Sequence, residues 1–392
     1  MAQVFTRVSQ QAAGYKLMGG VERCGRCRFF LKNNLCARVM GDVSPSAWCR
    51  FFSMEARATM NAGGGASATH GGGSGPPGRT QDASFMTALP AGFTYVCSTA
   101  TTNLLWTDGA GQTITDYAIN APRFLTNGLL LEGARTNRAL NSAVPASHTI
   151  PNLPVGSFVG WVNGTGSMTI AAGTAVGTGF GTATQGNKLN FDISTAGTVT
   201  VTIVGSLNAI QVENTSVAES YAPSSFIRTT GAFVARSTTI LTAGPPAGFT
   251  LAQGAYAFEL LPLNSGSVNC RVMEFVGTAA ASDFDRINFS AVAALRGSTN
   301  SGGAVQSTAT SAASVALNAV HKVAYTVSVG GASICVDATT PVTAGQAARP
   351  VDLIAMTVFG LSTGPPNVFG YLRRFQYWPR ALSNTELQQV TT

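Results

Sequence analysis

The chain has 392 residues, a net charge of +7, 45% hydrophobic residues and only 10% charged ones. That length allows two or three domains with ample material for cores. The shortage of charge, made up by Thr, Ser, Ala and Gly, suits β-rich folds on the outside of a structural assembly and speaks against a typical cytosolic enzyme. No run approaches the ~18 apolar residues of a membrane span, so no membrane span is expected.

In chain order, Met1 to Gln11 is polar and reads as a start without an export signal, in a chain made in a reducing cytoplasm. A weak helical pattern covers Val8–Met18. Cys24, Cys27, Cys36 and Cys49 follow, spaced C-x2-C-x8-C-x12-C. In a reducing compartment clustered cysteines read as ligands rather than disulfides. Thiolates suit zinc or an iron–sulfur cluster. Structural zinc ribbons usually pair two C-x2-C knuckles, and here there is one. The neighbours Phe29, Phe30, Leu31, Leu35, Val39, Trp48, Phe51 and Phe52 would shield a cluster from water and oxygen. Zinc, or no metal, remains the alternative. Residues 1–60 hold nine of the 24 basic residues against three acids. This reads either as docking onto an acidic surface or as solvation of a small module. There is no basic helix or aromatic–basic platform, so nucleic acid is not an expected partner. Cys97, Cys270 and Cys335 lie singly in apolar stretches and read as buried small hydrophobes.

Residues 61–84 form a linker whose Gly/Ser-rich run ends in Pro76-Pro77. Such a segment is flexible and then stiffer. Beyond it, short alternating runs recur between Gly, Asn and Pro punctuation. Thr198–Ile203 and Lys322–Val329 alternate with period two, as half-buried strands do. Gly330-Gly331 predicts a hairpin turn into a strand over 333–337. Ser383-Asn384-Thr385-Glu386 is a capping box opening a short terminal helix. Ala243-Gly244-Pro245-Pro246 predicts a second boundary, leaving β-domains at 85–242 and 243–392. Many short strands with little helix predict a mainly β chain of antiparallel sandwiches or jelly rolls.

The 17 acidic residues are scattered, and no P-loop, G-x-S-x-G or H-E-x-x-H motif occurs. The chain therefore reads as a non-enzyme, and a glycan-degrading enzyme with two opposed carboxylates is disfavoured. Asp283 and Asp285 offer either oxygen ligands for calcium or, preferably, a solvated turn with Asp285 beside Arg286. Glu132 and Arg135 predict a local ion pair.

Three resemblances add to this reading. Cys-x2-Cys followed by Phe29-Phe30, a third Cys in a short loop and a fourth after Trp48 resemble the high-potential iron–sulfur proteins. The resemblance implies one [4Fe–4S] cluster held by Cys24, Cys27, Cys36 and Cys49, with Tyr15, Phe29, Phe30, Trp48 and Phe51 around it. Gly128-Leu129-Leu130-Leu131-Glu132-Gly133-Ala134-Arg135-Thr136-Asn137, led in by Ala121-Pro122-Arg123-Phe124, resembles a segment of tailed-phage fibre and virion structural proteins. Gln211-Val212-Glu213-Asn214 with Ser220-Tyr221-Ala222-Pro223 resembles the edge of the carbohydrate-binding-type sandwich in the same proteins. Gly370–Phe375 and Tyr377-Trp378-Pro379-Arg380-Ala381-Leu382-Ser383 resemble the closing strand and helix of concanavalin-A-like, laminin-G-type sandwiches.

Together the resemblances imply a virion protein, assembled in the host cytoplasm. The leading form is a tail fibre or appendage whose residues 1–60 meet a tail adaptor or capsid protein and whose sandwiches face host-surface glycans. A homotrimer is the default. A capsid decoration or head fibre, and an iron–sulfur redox protein with β-sandwich docking domains, are the alternatives. Sugar faces stack on aromatics, which makes Trp106, Trp161, Tyr221 and Tyr377 candidates, with core packing the competing reading for each.

Overall fold

The computed structural model describes residues 76–392, apart from 111, 216–221, 264–269, 278–282, 292–293 and 359–369, together with the backbone of 30–31 and 35–36. Contacts divide the chain into Met1–Ser74 and Gly75–Thr392. In the first unit Phe30–Leu31 and Leu35–Cys36 pair antiparallel, with Phe30 opposite Cys36. Cys24, Cys27 and Cys49, the expected helix over 8–18, Tyr15, Phe29, Trp48 and Phe51 lie outside the described residues, as do the side chains of Phe30 and Cys36.

The second unit is built of antiparallel strands, as the alternating runs predict, with one helix among the described residues. Its main body is a two-layer sandwich. One layer has seven strands in the order Ala304–Ser314, Ala294–Ser301, Phe284–Ala291, Arg271–Val276, Ala355–Val358, Ile240–Ala243 and Phe93–Val96. The other has eight and is centred on Gln253–Pro262, which lies between His321–Ser328 and Gly370–Trp378. The Gly330 turn joins His321–Ser328 to Gly331–Val336 as predicted, with Gly330 at φ +101°. Period-two alternation sends one set of side chains from each layer inward. Tyr256, Phe258, Phe375 and Tyr377 of the eight-stranded layer meet Met273, Phe275, Ile287 and Leu241 of the other in one core. The ring of Tyr325 lies over Gly297, where an added Cβ would stand 2.2 Å from it.

The outer faces of the two layers differ. Asn384–Thr391 covers the eight-stranded layer, with Leu387 packed on Ala255, Ala257, Ala324 and Trp378. Its start carries the predicted capping box, Ser383 and Glu386 each bonding the other's backbone. No helix covers the seven-stranded layer among the described residues.

The boundary expected at 242/243 falls inside a sheet. Ile240–Ala243 pairs Phe93–Val96 on one side and Ala355–Val358 on the other, and Gln81–Ser84 pairs Gly370–Trp378. The Gly-Pro-Pro run at 244–246 is therefore a turn between two strands of the same sandwich. What interrupts the sandwich is an insertion. The chain leaves it after Gly128–Leu131, forms a second sheet from Arg135–Asn137 to Val234–Arg236, and returns at Ile240.

The insertion is a hairpin of two very long strands, Gly156–Ala172 and Gly197–Thr215, folded across itself. A Cβ on Gly160 would stand 3.0 Å from Met168 Cε and 3.2 Å from Ile170 Cδ1. Eight residues of straight strand would span roughly 26 Å, so the strand must double back. It does so at a bulge at Gly164 (φ +127°), opposite a reversal at Gly205 (φ +85°). Added Cβ atoms there would lie 2.6 Å and 2.5 Å from carbonyl oxygens of the facing strand. The two halves enclose Phe158, Val162, Met168, Ile170, Phe191, Val199 and Val201.

One buried carboxylate joins the insertion to the sandwich. Glu132 is the first residue past Leu131 and is wholly buried. Its Oε2 accepts from Arg123 at 2.6 Å, Arg236 at 2.9 Å and the Ser225 hydroxyl at 2.7 Å, and its Oε1 accepts from Ser225 N at 2.7 Å. Its backbone exchanges bonds with Thr239 at the point of return. The local pair expected with Arg135 is not the one formed: Arg135 stands opposite Arg236 across the first and last strands of the insertion. Residues three apart on an extended segment point to opposite faces, and the partners come from 9 and 104 residues away instead.

Burial acts to raise the Glu132 carboxyl, but Arg236, Arg123 and the Ser225 donors outweigh it and hold it at about 2 against an ordinary 4.5. Its contribution to stability is therefore fully present above pH 4.5 and is lost as pH falls through about 2. Glu132→Gln, which strands two buried guanidiniums, should cost about 3–5 kcal/mol in urea unfolding at pH 7. It should also flatten the loss of stability between pH 4.5 and 2 relative to the parent chain. A parent-like midpoint at both pH values would remove Glu132 from this role. Gly297→Ala, which drives a methyl into the Tyr325 ring, should cost about 1–3 kcal/mol in the same assay.

Candidate functional site

The outer face of the seven-stranded layer, on which no helix lies among the described residues, carries polar rows. Met273, Phe275 and Ile287 point into the core, so alternation turns their sequence neighbours outward. Thr94, Thr242 and Thr357 are successive cross-strand partners, and the same row runs on through Glu274, Arg286, Ser298 and Thr308. A second row sets Arg271 against Asn288, Arg296 and Thr310.

A bulge makes this arrangement possible. The register shifts between Arg271 and Met273, so Val272 and Met273 both enter the core. That leaves Arg271 and Glu274, three residues apart, on the same outer face, where bulges commonly re-aim side chains. Arg271 Nη1 donates to Glu274 Oε2 at 2.5 Å, and Arg286 lies 4.0 Å from Oε1. The Arg286 guanidinium sits 3.4 Å from the centroid of the Phe284 ring, a cation–π contact that fixes its position. The side chains of Arg271 and Arg286 are 26% and 20% exposed while Glu274 is 2% exposed. Asn288, Ser298 and Asn300 are buried, and Thr308 and Thr310 are exposed.

The two rows hold three guanidiniums against one carboxylate. Burial, with Arg271 and Arg296 nearby, brings Arg286 down to about 10 even though Glu274 opposes the shift. Burial likewise raises the Glu274 carboxyl, against the pull of Arg271 and Arg286. The partly exposed arginines and the exposed hydroxyls of Thr308 and Thr310 are groups of the kind that bond hydroxyls or an anion.

Of the four aromatics expected to stack on sugars, Trp106, Trp161 and Tyr377 lie in the described residues. Tyr377 is fully buried between the layers, 5.4 Å from Tyr256 and 6.0 Å from Phe249 centroid to centroid. Trp161 is 1% exposed and packs on Phe226, Leu104 and Ala209. Neither presents a face to a ligand, and for both the competing reading, core packing, is what the fold uses. Tyr221 lies outside the described residues. Trp106 is half-buried at the edge of the Trp161 cluster, with Lys188 Nζ 5.8 Å over its ring.

Asp283 and Asp285 are both buried, which corrects the solvated-turn reading. Asp285 points inward and takes a two-pronged bond from Arg349, at 2.5 Å for each oxygen, plus the Thr299 hydroxyl at 2.8 Å. Its neighbour Arg286 is on the other face. Asp283 accepts from Gly302 N at 2.7 Å. Among the described residues no group of three or more His, Cys, Asp or Glu could hold a metal ion.

No family model and no curated protein matches the chain. Among solved structures it is similar to the carbohydrate-binding module of a Ruminococcus gnavus trans-sialidase bound to α2,3-sialyllactose, at 16% identity over 37% of this chain and 84% of that one, with a TM-score of 0.32. It is also similar to domain 4 of a Geobacillus stearothermophilus extracellular arabinanase in complex with arabinotriose, at 9% identity over 40% and 73% of the two chains, TM-score 0.31. A third is a heptameric pentraxin from Limulus polyphemus, at 10% identity over 36% and 70%, TM-score 0.30.

Trp161→Ala should lower stability by about 3–5 kcal/mol, as loss of a large core side chain does. Trp106→Ala should cost less than about 1.5 kcal/mol because its ring is only half-buried. Denaturant midpoints of the two variants check this ordering, and a reversed order would return Trp161 to the surface candidates.

Proposed function

We propose that this chain is a structural protein of a tailed-phage virion, a tail fibre or comparable appendage, that attaches through residues 1–60 and turns its sandwich toward host-surface glycans. The observation that carries the binding half is the polar face of the seven-stranded layer. Its outward rows carry threonines, amides and arginines, and among the described residues no helix lies on it, whereas one packs on the opposite layer. The virion half rests on the resemblance of the 121–142, 211–223 and 370–383 segments to phage fibre and concanavalin-A-like, laminin-G-type sequences. A homotrimer is part of this reading, since repeated weak glycan contacts gain strength when several sandwiches act together.

In the same reading Cys24, Cys27, Cys36 and Cys49 hold one [4Fe–4S] cluster that staples a segment too small to build its own core. Purified chain should then contain iron and acid-labile sulfide in equal amounts, and zinc alone would replace the cluster by a zinc site. Gold labelling of the chain on intact particles should mark the tail at few copies. Label spread over the head would favour a capsid decoration, and no label on any particle would end the virion reading. A chain lacking residues 1–60 should fold its sandwich but fail to enter particles.

A further inference from the structure

Gln211, Glu213 and Ser224 form a buried cluster where the insertion returns toward the sandwich, and from it we infer an intramolecular ester cross-link in which Ser224 Oγ joins the side-chain carbonyl carbon of Gln211 and ammonia leaves. Such a bond forms whether or not the chain binds glycans or enters particles. Gln211 and Glu213 are wholly buried and Ser224 is 1% exposed. Gln211 and Glu213 lie two apart on Gly197–Thr215, so both project from one face of the strand. The Ser224 hydroxyl donates to Glu213 Oε2 at 2.5 Å, the bond a nucleophile makes to its base. Ser224 N donates to Glu213 Oε1 at 2.6 Å and fixes the pair. Gln211 Nε2 stands 3.2 Å from Ser224 Oγ. The amide C–N bond adds about 1.3 Å, which puts the carbonyl carbon within about 4.5 Å of the nucleophile. Ile227 N donates to Gln211 Oε1 at 2.6 Å, where negative charge develops during attack.

The step balances without an outside reactant. Glu213 takes the Ser224 proton as Oγ attacks the carbonyl carbon, and the C=O electron pair moves onto Oε1 against the Ile227 N–H. When the pair returns, the C–N bond breaks and the departing nitrogen takes the proton from Glu213. A hydroxyl and a carboxamide become an ester and ammonia, and Glu213 ends as it began. Burial keeps water from the product. The next residue shows what this cluster adds. Ser225 clasps Glu132 in the same manner, with its N–H and its hydroxyl both at 2.7 Å. Despite its burial, Glu132 is held at about 2 by Arg236 and Arg123 and is a feeble base. Burial raises the Glu213 carboxyl, against Arg135, Ser224 and Arg236. The carboxamide of Gln211 bonds Ser225 at its backbone carbonyl and Ser224 at its hydroxyl.

The test is mass spectrometry of the denatured full chain, intact and after digestion at glutamates, which cuts between the two residues at Glu213 and Glu219. The chain should be lighter than its sequence by one ammonia, and the peptides holding Gln211 and Ser224 should remain joined until hydroxylamine splits them. Succinimides at Asn127-Gly128 or Asn163-Gly164 lose the same mass, so the joined peptides decide. Ser224→Ala should keep the full mass. Glu213→Gln should slow the loss about 100-fold or more, and circular dichroism should show both variants folded. Separate peptides from fresh and aged parent chain would overturn the cross-link, whatever the variants do. Joined peptides that persist in Ser224→Ala would overturn Ser224 as the nucleophile. Unchanged formation in a folded Glu213→Gln would overturn Glu213 as the base.

Discussion

The sandwich depends on the buried carboxylate of Glu132. An insertion of about a hundred residues opens the chain between two strands that belong to one core, Gly128–Leu131 and Ile240–Ala243. Closing so long a loop has an entropic cost that grows slowly with length but must be met at its neck. Glu132 meets it by drawing Arg123 from before the last strand, Ser225 from the insertion and Arg236 from its final strand onto one oxygen pair. Glu213, also wholly buried, is held nearby by the backbone N–H and hydroxyl of Ser224, and burial raises its carboxyl although Arg135 and Ser224 oppose the shift. Buried charge of this density is costly unless every partner is present. The neck therefore tolerates one geometry, and the register of both sheets follows from it.

The same logic, used sparingly, orders the main core. Asp285 is the one inward carboxylate on its strand, and Arg349 reaches it from the 345–354 segment, so the pair pins that irregular segment against the layer edge. Arg349 also donates to the Leu251 carbonyl, tying the start of the central Gln253–Pro262 strand to the same point. Elsewhere the interior is aromatic, with Tyr256, Phe275, Phe249 and Tyr377 in mutual ring contact.

Much of the local structure was legible in the residues. Strict alternation marked Val199 and Val201 as the buried face of one strand, Gly330 marked the turn after another, His321–Ser328, and Ser383 with Glu386 marked the helix start, because each is a short-range rule with a short-range cause. The failures share a cause as well. The break at Gly244-Pro245-Pro246 looks the same whether it ends a domain or turns between strands, and only pairing across more than a hundred residues decides. Glu132 next to Arg135 looked like a local pair because the true partners are remote. The polar face was hidden for the same reason. Asp285 beside Arg286 read as a solvated turn until the register assigns Asp285 inward and Arg286 outward. Large aromatics drew attention to Trp161 and Tyr377, but in a sandwich this rich in aromatics the rings were needed inside.

Two charged groups of the outer face are held in place by their neighbours. Long arginine side chains ordinarily lose rotamer freedom on binding, which weakens affinity. Here Phe284 already holds Arg286 and Glu274 already holds Arg271. Glu274 thus does two opposed things: it orders an arginine and it cancels part of the positive charge. Its burial settles the balance. Glu274 is 2% exposed, whereas the side chains of Arg271 and Arg286 keep 26% and 20%.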